Sequence, residues 1–210
     1  MIYSVKEIYK TLQGEGGQAG RAAVFCRFAG CNLWSGHEKD RATARCNFCD
    51  TDFVGTDGPG GGTFSTPGQL ADAIARKWRA GEERKLVVFT GGEPLLQLNF
   101  PLVEAVRARH FEIAIETNGT ILAPVGVDWI CVSPKAGVPL KQIRGDELKL
   151  VYPQTGIEPT DFENLQFNHF FLQPMDGPQL DENTALTVAY CLDHPRWRMS
   201  LQTHKYIGIA

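Results

Sequence analysis

The chain has 210 residues, 43% of them hydrophobic and 21% charged, and acidic residues outnumber basic ones 24 to 21 for a net charge of −3. That length suits one domain spanning 1–210, the composition supports a packed core rather than disorder, and the acidic balance argues against a nucleic-acid partner. No apolar run approaches the roughly 20 residues that cross a bilayer, and the opening MIYSVKEIYKTLQGEG has no basic start followed by an apolar stretch. No membrane partner and a cytoplasmic location with reduced cysteines are therefore expected.

The first apolar run is AVFCRF at 23–28, read as a strand. A polar segment with three cysteines follows, and residues 55–62 read as a glycine-rich surface loop. Ser65-Thr66-Pro67 forms a helix start, with Leu70, Ala73, Ile74 and Trp78 following at helical spacing. Further strands are expected at 86–89, 111–115, 129–132, 147–151, 170–172 and 198–201. Further helices are expected at 94–109 and 181–192. The connections 118–128 and 133–146 hold too much glycine and proline for full helices. Continuous apolar runs fit strands covered on both faces, as in parallel sheets. The fold class is α/β: a partial, thinned (β/α) barrel of about six parallel strands with few helices.

The strand ends carry the chemistry. Thr90 leads into Gly91-Gly92-Glu93-Pro94, and residues 111–115 into Glu116-Thr117-Asn118-Gly119. Residues 129–132 lead into Ser133-Pro134-Lys135, residues 170–172 into Gln173-Pro174-Met175, and the last strand into Gln202-Thr203-His204-Lys205. In (β/α) barrels the C-terminal rim of the strands is where active sites are built.

Cys31, Cys46 and Cys49 form C-x14-C-x2-C in a polar stretch where packing gives cysteine little purpose. Three readings compete. A redox dithiol at Cys46 and Cys49 needs a helix directly after it to lower a thiol pKa. Structural zinc would take His37 as a fourth ligand. An iron–sulfur cluster on three thiolates leaves one iron open. Cys26, Cys131 and Cys191 sit in apolar segments and read as small buried hydrophobes.

GGEP at 91–94 together with three cysteines resembles the radical S-adenosylmethionine enzymes. Their usual C-x3-C-x2-C is replaced here by a 14-residue spacing. That variant, with IYKTLQGEG at 8–16, VFCRFAGC at 24–31, CNFCDT at 46–51, TGGEP at 90–94, ETNG at 116–119, SPK at 133–135 and QPM at 173–175, resembles the 7-carboxy-7-deazaguanine synthase family. These blocks span almost the whole chain.

The resemblance implies a radical enzyme that converts 6-carboxytetrahydropterin to 7-carboxy-7-deazaguanine with loss of ammonia. Its cofactors would be a 4Fe-4S cluster on Cys31, Cys46 and Cys49, S-adenosylmethionine and Mg2+, the last with Thr51 as a ligand. It places Phe48, Asp50, Gly91, Gly92, Glu93, Ser133, Pro134, Lys135, Gln173, Pro174, Met175 and Asp176 around the sulfonium cofactor. It places Leu12, Gln13, Gly14, Glu15, Arg27, Thr90, Glu116, Asn118, His204 and Ala210 around the pterin. No side chain is assigned as a catalytic acid or base.

Elementary chemistry agrees with part of this assignment. Glycines at 91 and 92 allow close backbone approach, and Arg27 can grip a carboxylate in a forked geometry. A hard cation that keeps several waters needs few protein oxygens. A flavodoxin or ferredoxin as electron donor and a homodimer are further implications. The cluster-binding insert, 31–49, includes a long 32–45 stretch expected to form a small extra helix, in which Trp34 and His37 carry no clear signal. Two other readings stand beside this one: an activase that makes a glycyl radical on a partner protein, and a zinc-stabilised binding module.

Overall fold

The computed structural model describes residues 2–79, 81 and 83–209. A nine-stranded mixed sheet carries the fold, in the order β3-β1-β2-β4-β5-β6-β7-β8-β9. Seven strands run parallel: β2 (Ala22–Phe28), β4 (Leu86–Gly91), β5 (Glu112–Thr117), β6 (Trp129–Val132), β7 (Arg144–Tyr152), β8 (Gln166–Pro174) and β9 (Trp197–Met199). Two antiparallel strands, β1 (Tyr3–Leu12) and β3 (Gly62–Phe64), extend one edge. The ends of the sheet do not pair, so the barrel is open, as a thinned barrel requires.

The reading from sequence passes over both antiparallel strands. In β1, Tyr3, Val5 and Ile8 are fully buried while the residues between them are polar. A bulge between Val5 and Glu7 breaks the two-residue period that marks a strand. β3 begins at the last residue of the glycine stretch.

Helix α1 (Pro67–Lys77) begins where expected. Thr66 caps it by accepting from the Gln69 amide, Pro67 occupies the first turn, and Leu70, Ala71, Ala73 and Ile74 are buried. The helix expected over 94–109 is instead a 3-10 turn at Pro94–Leu96 followed by α2 (Phe100–Arg107). Asn99 starts α2 by capping the Leu102 amide, and Pro101 lacks the N–H that a continuous helix would use. The Gln97 side chain is committed elsewhere, bonding the backbone of Ser4 and Ala29. Helix α3 (Leu180–Asp193) matches its expected span within one residue at each end, and a short α4 (Thr203–Ile207) closes the chain.

The strands alternate between two faces. Val24, Cys26, Phe28, Val87, Phe89, Ile113 and Ile115 pack under α1 and α2. Leu148, Leu150, Phe170 and Leu172 pack with Trp197 in a second core joined by Tyr190 and the half-buried Cys191 of α3. On the opposite face, Ala23, Leu86, Val88 and Ala114 form a small apolar layer with Phe25 and Trp129. Farther along the same strands, that inner face turns polar. Among the described residues, no helix is long and apolar enough to cross a membrane.

Candidate active site

Strand register builds the site. Arg27 lies beside Thr90, Glu116 beside Cys131, Cys131 beside Glu147, and Val151 beside Gln173. Arg27, Thr90, Glu116, Val151 and Gln173, with the loops after the strands, line a cavity of about 430 Å3. Of the residues singled out from sequence, Leu12 to Glu15, Arg27, Thr90, Glu116, Asn118 and His204 line it, as do the three cysteines, Phe48, Asp50, Thr51, Gly91, Gly92, Ser133, Lys135 and the run from Gln173 to Asp176. Pro134 is buried outside the lining, and Ala210 lies outside the described residues.

Cys31, Cys46 and Cys49 are free thiols on one cavity. A hydrogen bond from Cys46 pulls the Cys49 thiol down to about 6, against burial and with help from the Thr51 amide. The same bond, and burial, push Cys46 up. Burial also raises Cys31, whose sulfur accepts from the Leu33 amide at 3.4 Å. No helix follows Cys49, which removes the support that a redox dithiol needs. His37 is exposed and outside the cavity. Three soft thiolates without a fourth protein ligand fit an iron–sulfur cluster with an open iron better than closed tetrahedral zinc.

The GGEP turn works through its backbone and its carboxylate. Gly91 holds φ +143, and a Cβ there would collide with the Phe28 carbonyl. A Cβ on Gly92 would strike the Gly30 carbonyl and stand 2.6 Å from Cys31 Cβ. Glu93 is fully buried and does not line the cavity. Its carboxylate accepts from the Leu95 amide at 2.9 Å, the Thr117 hydroxyl at 2.7 Å and the Asn118 amide at 2.8 Å, tying the β4 turn to the β5 end. Lys135 donates to the Ser133 carbonyl and hydroxyl at 2.7 and 2.8 Å and lies over the Phe48 ring. Burial lowers its pKa, with Cys46 and Cys49 opposing.

A second charged group involves a residue that the sequence reading overlooks. Lys149, fully enclosed on β7, donates to Glu15 at 2.6 Å and to Glu116 at 2.9 Å. Gln13 donates to the other Glu116 oxygen at 3.0 Å, and Gln202 to the other Glu15 oxygen at 3.0 Å. Burial pushes Glu15 up, but Lys149, Gln202 and His204 more than offset it, leaving its carboxyl below the usual range. Burial wins at Glu116, helped by Glu147 and Glu15 against Lys149, so that carboxyl is raised. Arg27 is oriented by Glu7 at 2.8 Å and the Tyr9 hydroxyl at 3.1 Å.

The C-terminal segment crosses this cavity as a strap. Thr203 bonds the Gly14 carbonyl through its amide and its hydroxyl. Lys205 pairs with Asp50 at 2.6 Å and Asp176 at 2.5 Å. The strap thereby joins the LQGEG turn, the cysteine loop and the turn after β8. Lys6, Glu7 and Lys149 are charged lining residues that the motifs do not announce.

Comparison with known proteins identifies relatives of this chain. Residues 40–150 match the family model described as the Radical SAM superfamily. The chain is 65% identical over 209 residues to the 7-carboxy-7-deazaguanine synthase of Caulobacter vibrioides and 66% identical over 209 residues to that of Bordetella pertussis, with 100% of each chain covered. The crystal structure of QueE from Escherichia coli superposes with a TM-score of 0.74 at 28% identity, covering 97% of this chain and 95% of that one.

Proposed function

The chain belongs to the 7-carboxy-7-deazaguanine synthase family of the radical S-adenosylmethionine superfamily, and from that membership we propose that it converts 6-carboxytetrahydropterin to 7-carboxy-7-deazaguanine and ammonia in deazapurine and queuosine biosynthesis. One observation carries the reading: a single cavity holds both the three free thiols and the Glu15–Lys149–Glu116 cluster. Metal-site chemistry alone would not require the second, and a simple carboxylate-binding pocket would not require the first.

Cys31, Cys46 and Cys49 would hold the cluster. Gly91 and Gly92 give the backbone approach, and Phe48, Asp50, Ser133, Lys135, Gln173, Met175 and Asp176 surround the sulfonium cofactor. When bound, cluster and cofactor supply a 5′-deoxyadenosyl radical for hydrogen abstraction from the pterin carbon that bears the carboxylate. The chain's own side chains bind, orient and exclude water. Arg27, steadied by Glu7 and Tyr9, grips the substrate carboxylate. Ionised Glu15 accepts ring N–H groups, and Gln13, Thr90, Glu116, Asn118 and His204 fix the ring's orientation. The Thr51 hydroxyl offers Mg2+ a hard oxygen near the substrate carboxylate. Ring contraction then expels one nitrogen as ammonia.

The enzyme works in the cytoplasm with a flavodoxin or ferredoxin as electron donor. It acts as a homodimer, a reading supported by the exposed Val188 and Leu192, one turn apart on α3. The test is anaerobic reconstitution followed by turnover with S-adenosylmethionine and the pterin. Release of 5′-deoxyadenosine together with 7-carboxy-7-deazaguanine is expected. A cluster-loaded sample that leaves the pterin unchanged overturns the assignment.

A further inference from the structure

The 32–45 insert has no role in the function described so far, yet it is built tightly. The Arg45 amide donates to the Leu33 carbonyl at 3.1 Å, so the ends of the insert meet and the stretch closes as a compact loop. A 3-10 helix, Glu38–Thr43, lies within it. Ser35 bonds Asp40 at 2.6 Å, and the Trp34 indole N–H donates to the His37 carbonyl.

Arg41, on that 3-10 helix, reaches out of the insert. Its Nη1 donates to the Asn47 carbonyl and to the Cys49 carbonyl, each at 3.0 Å. Both acceptors lie in the C-x2-C turn. Its Nε is held by the Glu38 carboxylate at 2.8 Å, and its guanidinium lies 4.2 Å from the Trp34 ring centroid. Trp34 is nearly buried and meets Phe53 edge-on at 5.6 Å, and the Phe53 carbonyl accepts from the Gly30 amide beside Cys31. A continuous set of contacts thus runs from Cys31 through Phe53, Trp34 and Arg41 to Cys49.

We propose that Arg41 is a positioning residue for the metal centre: it clamps the backbone between Cys46 and Cys49 and sets a fixed positive charge beside the cluster. The proposal rests on the reading of Cys31, Cys46 and Cys49 as the cluster ligands. A cysteine pair separated by two residues on an irregular loop has no helix or strand to fix its spacing. Two hydrogen bonds from one planar, permanently charged group to two carbonyls of that turn supply the missing rigidity. A positive charge next to an iron–sulfur cluster also favours its reduced, more negative state, an effect that the solvent-exposed Glu38 carboxylate paired with Arg41 offsets in part. The long spacing between Cys31 and Cys46 is then the length of chain needed to bring Arg41 back onto the turn that follows it.

The experiment compares the wild-type protein with Arg41→Met and Arg41→Lys, all reconstituted anaerobically. Iron and sulfide content, the rate of cluster loss to a ferrous chelator, and the midpoint potential from an EPR-monitored titration are measured. Circular dichroism and melting of the metal-free proteins report the fold separately. Cluster loss from Arg41→Met is expected to be about ten-fold faster, the usual scale for removing an outer support of a metal site. Its potential is expected to fall, with the metal-free fold unchanged. Arg41→Lys keeps the charge but cannot hold Glu38 through one nitrogen and both turn carbonyls through another, so it should restore the potential and only part of the retention. Equal retention and equal potential in Arg41→Met and wild type overturn the clamp while leaving the cluster assignment intact. Wild-type protein that takes up only zinc overturns the assignment, and the clamp with it.

Discussion

Replacing Lys149 with methionine keeps the length of the side chain and removes its charge. In the folded protein the ammonium sits 2.6 Å from Glu15 and 2.9 Å from Glu116 with almost no solvent contact. At an effective dielectric of about 20, each contact is worth roughly 6 kcal/mol of attraction, most of it offset by the cost of stripping water from the three groups. Removing one member of a buried pair leaves the others uncompensated and costs about 3–5 kcal/mol. Two carboxylates are stranded here, so the upper part of that range is expected at neutral pH.

The pH dependence follows from the shifts. Glu15 is held below its ordinary 4.5, so its contribution is present above 4.5 and is lost as pH falls through the lower folded value. Lys149 is raised above its ordinary 10.5, so its contribution is present below 10.5 and is lost only as pH rises through the higher folded value. Between these limits the wild-type pair is intact. In Lys149→Met the carboxyls take up protons at higher pH, and the penalty shrinks as pH falls. Urea unfolding of metal-free protein at about pH 8 and about pH 5 reads this directly. A loss below about 1 kcal/mol at pH 8, or a loss equal at both pH values, would refute the reasoning.

Cys31→Ala is expected to abolish cluster assembly, checked by iron and sulfide analysis; a full cluster in the variant removes Cys31 from the ligands. Arg27→Ala removes a charged fork and is expected to weaken pterin binding by about 1.5–3 kcal/mol, with cofactor cleavage in the absence of pterin unchanged. Calorimetric titration with the pterin is the check. Gly92→Ala forces a Cβ into the Gly30 carbonyl and against Cys31, so iron retention should drop even where the melting temperature holds. Thr66→Ala, remote from the cavity, is expected to cost about 0.5–2 kcal/mol through loss of the α1 cap, with turnover per folded molecule unchanged.

The parallel strands, the first helix and the rim residues were legible because each depends on local chemistry. Thr66-Pro67 announces α1, and apolar runs ending in GGEP, ETNG, SPK and QPM announce strands with polar mouths. β1 is not legible because the bulge at Val5/Glu7 breaks its alternation and Lys6 and Glu7 face the cavity, where a surface reading does not expect charges. The 94–109 helix was read as continuous because Leu98, Leu102, Val103 and Val106 keep helical spacing across a break set by Asn99 and Pro101. Lys149 had a signal that went unread. In ELKLV, Glu147 and Lys149 stand two apart among apolar residues, which puts two charges on one face of a buried strand. The polar end Gln202–Lys205 is legible as part of the rim, but its bonds are not: Lys205–Asp176 and Arg41–Cys49 are pairings that only the folded chain brings together.

The layer of Ala23, Leu86, Val88 and Ala114 blocks the barrel at the start of its strands. Gln202, His204 and Lys205 of the last segment line the cavity, together with the turns that carry Gly14, Asp50 and Asp176. The hydrogen bonds of Thr203 to Gly14 and of Lys205 to Asp50 and Asp176 tie that segment to those turns. Breaking these contacts would uncover the cavity rim at Gly14, Asp50 and Asp176.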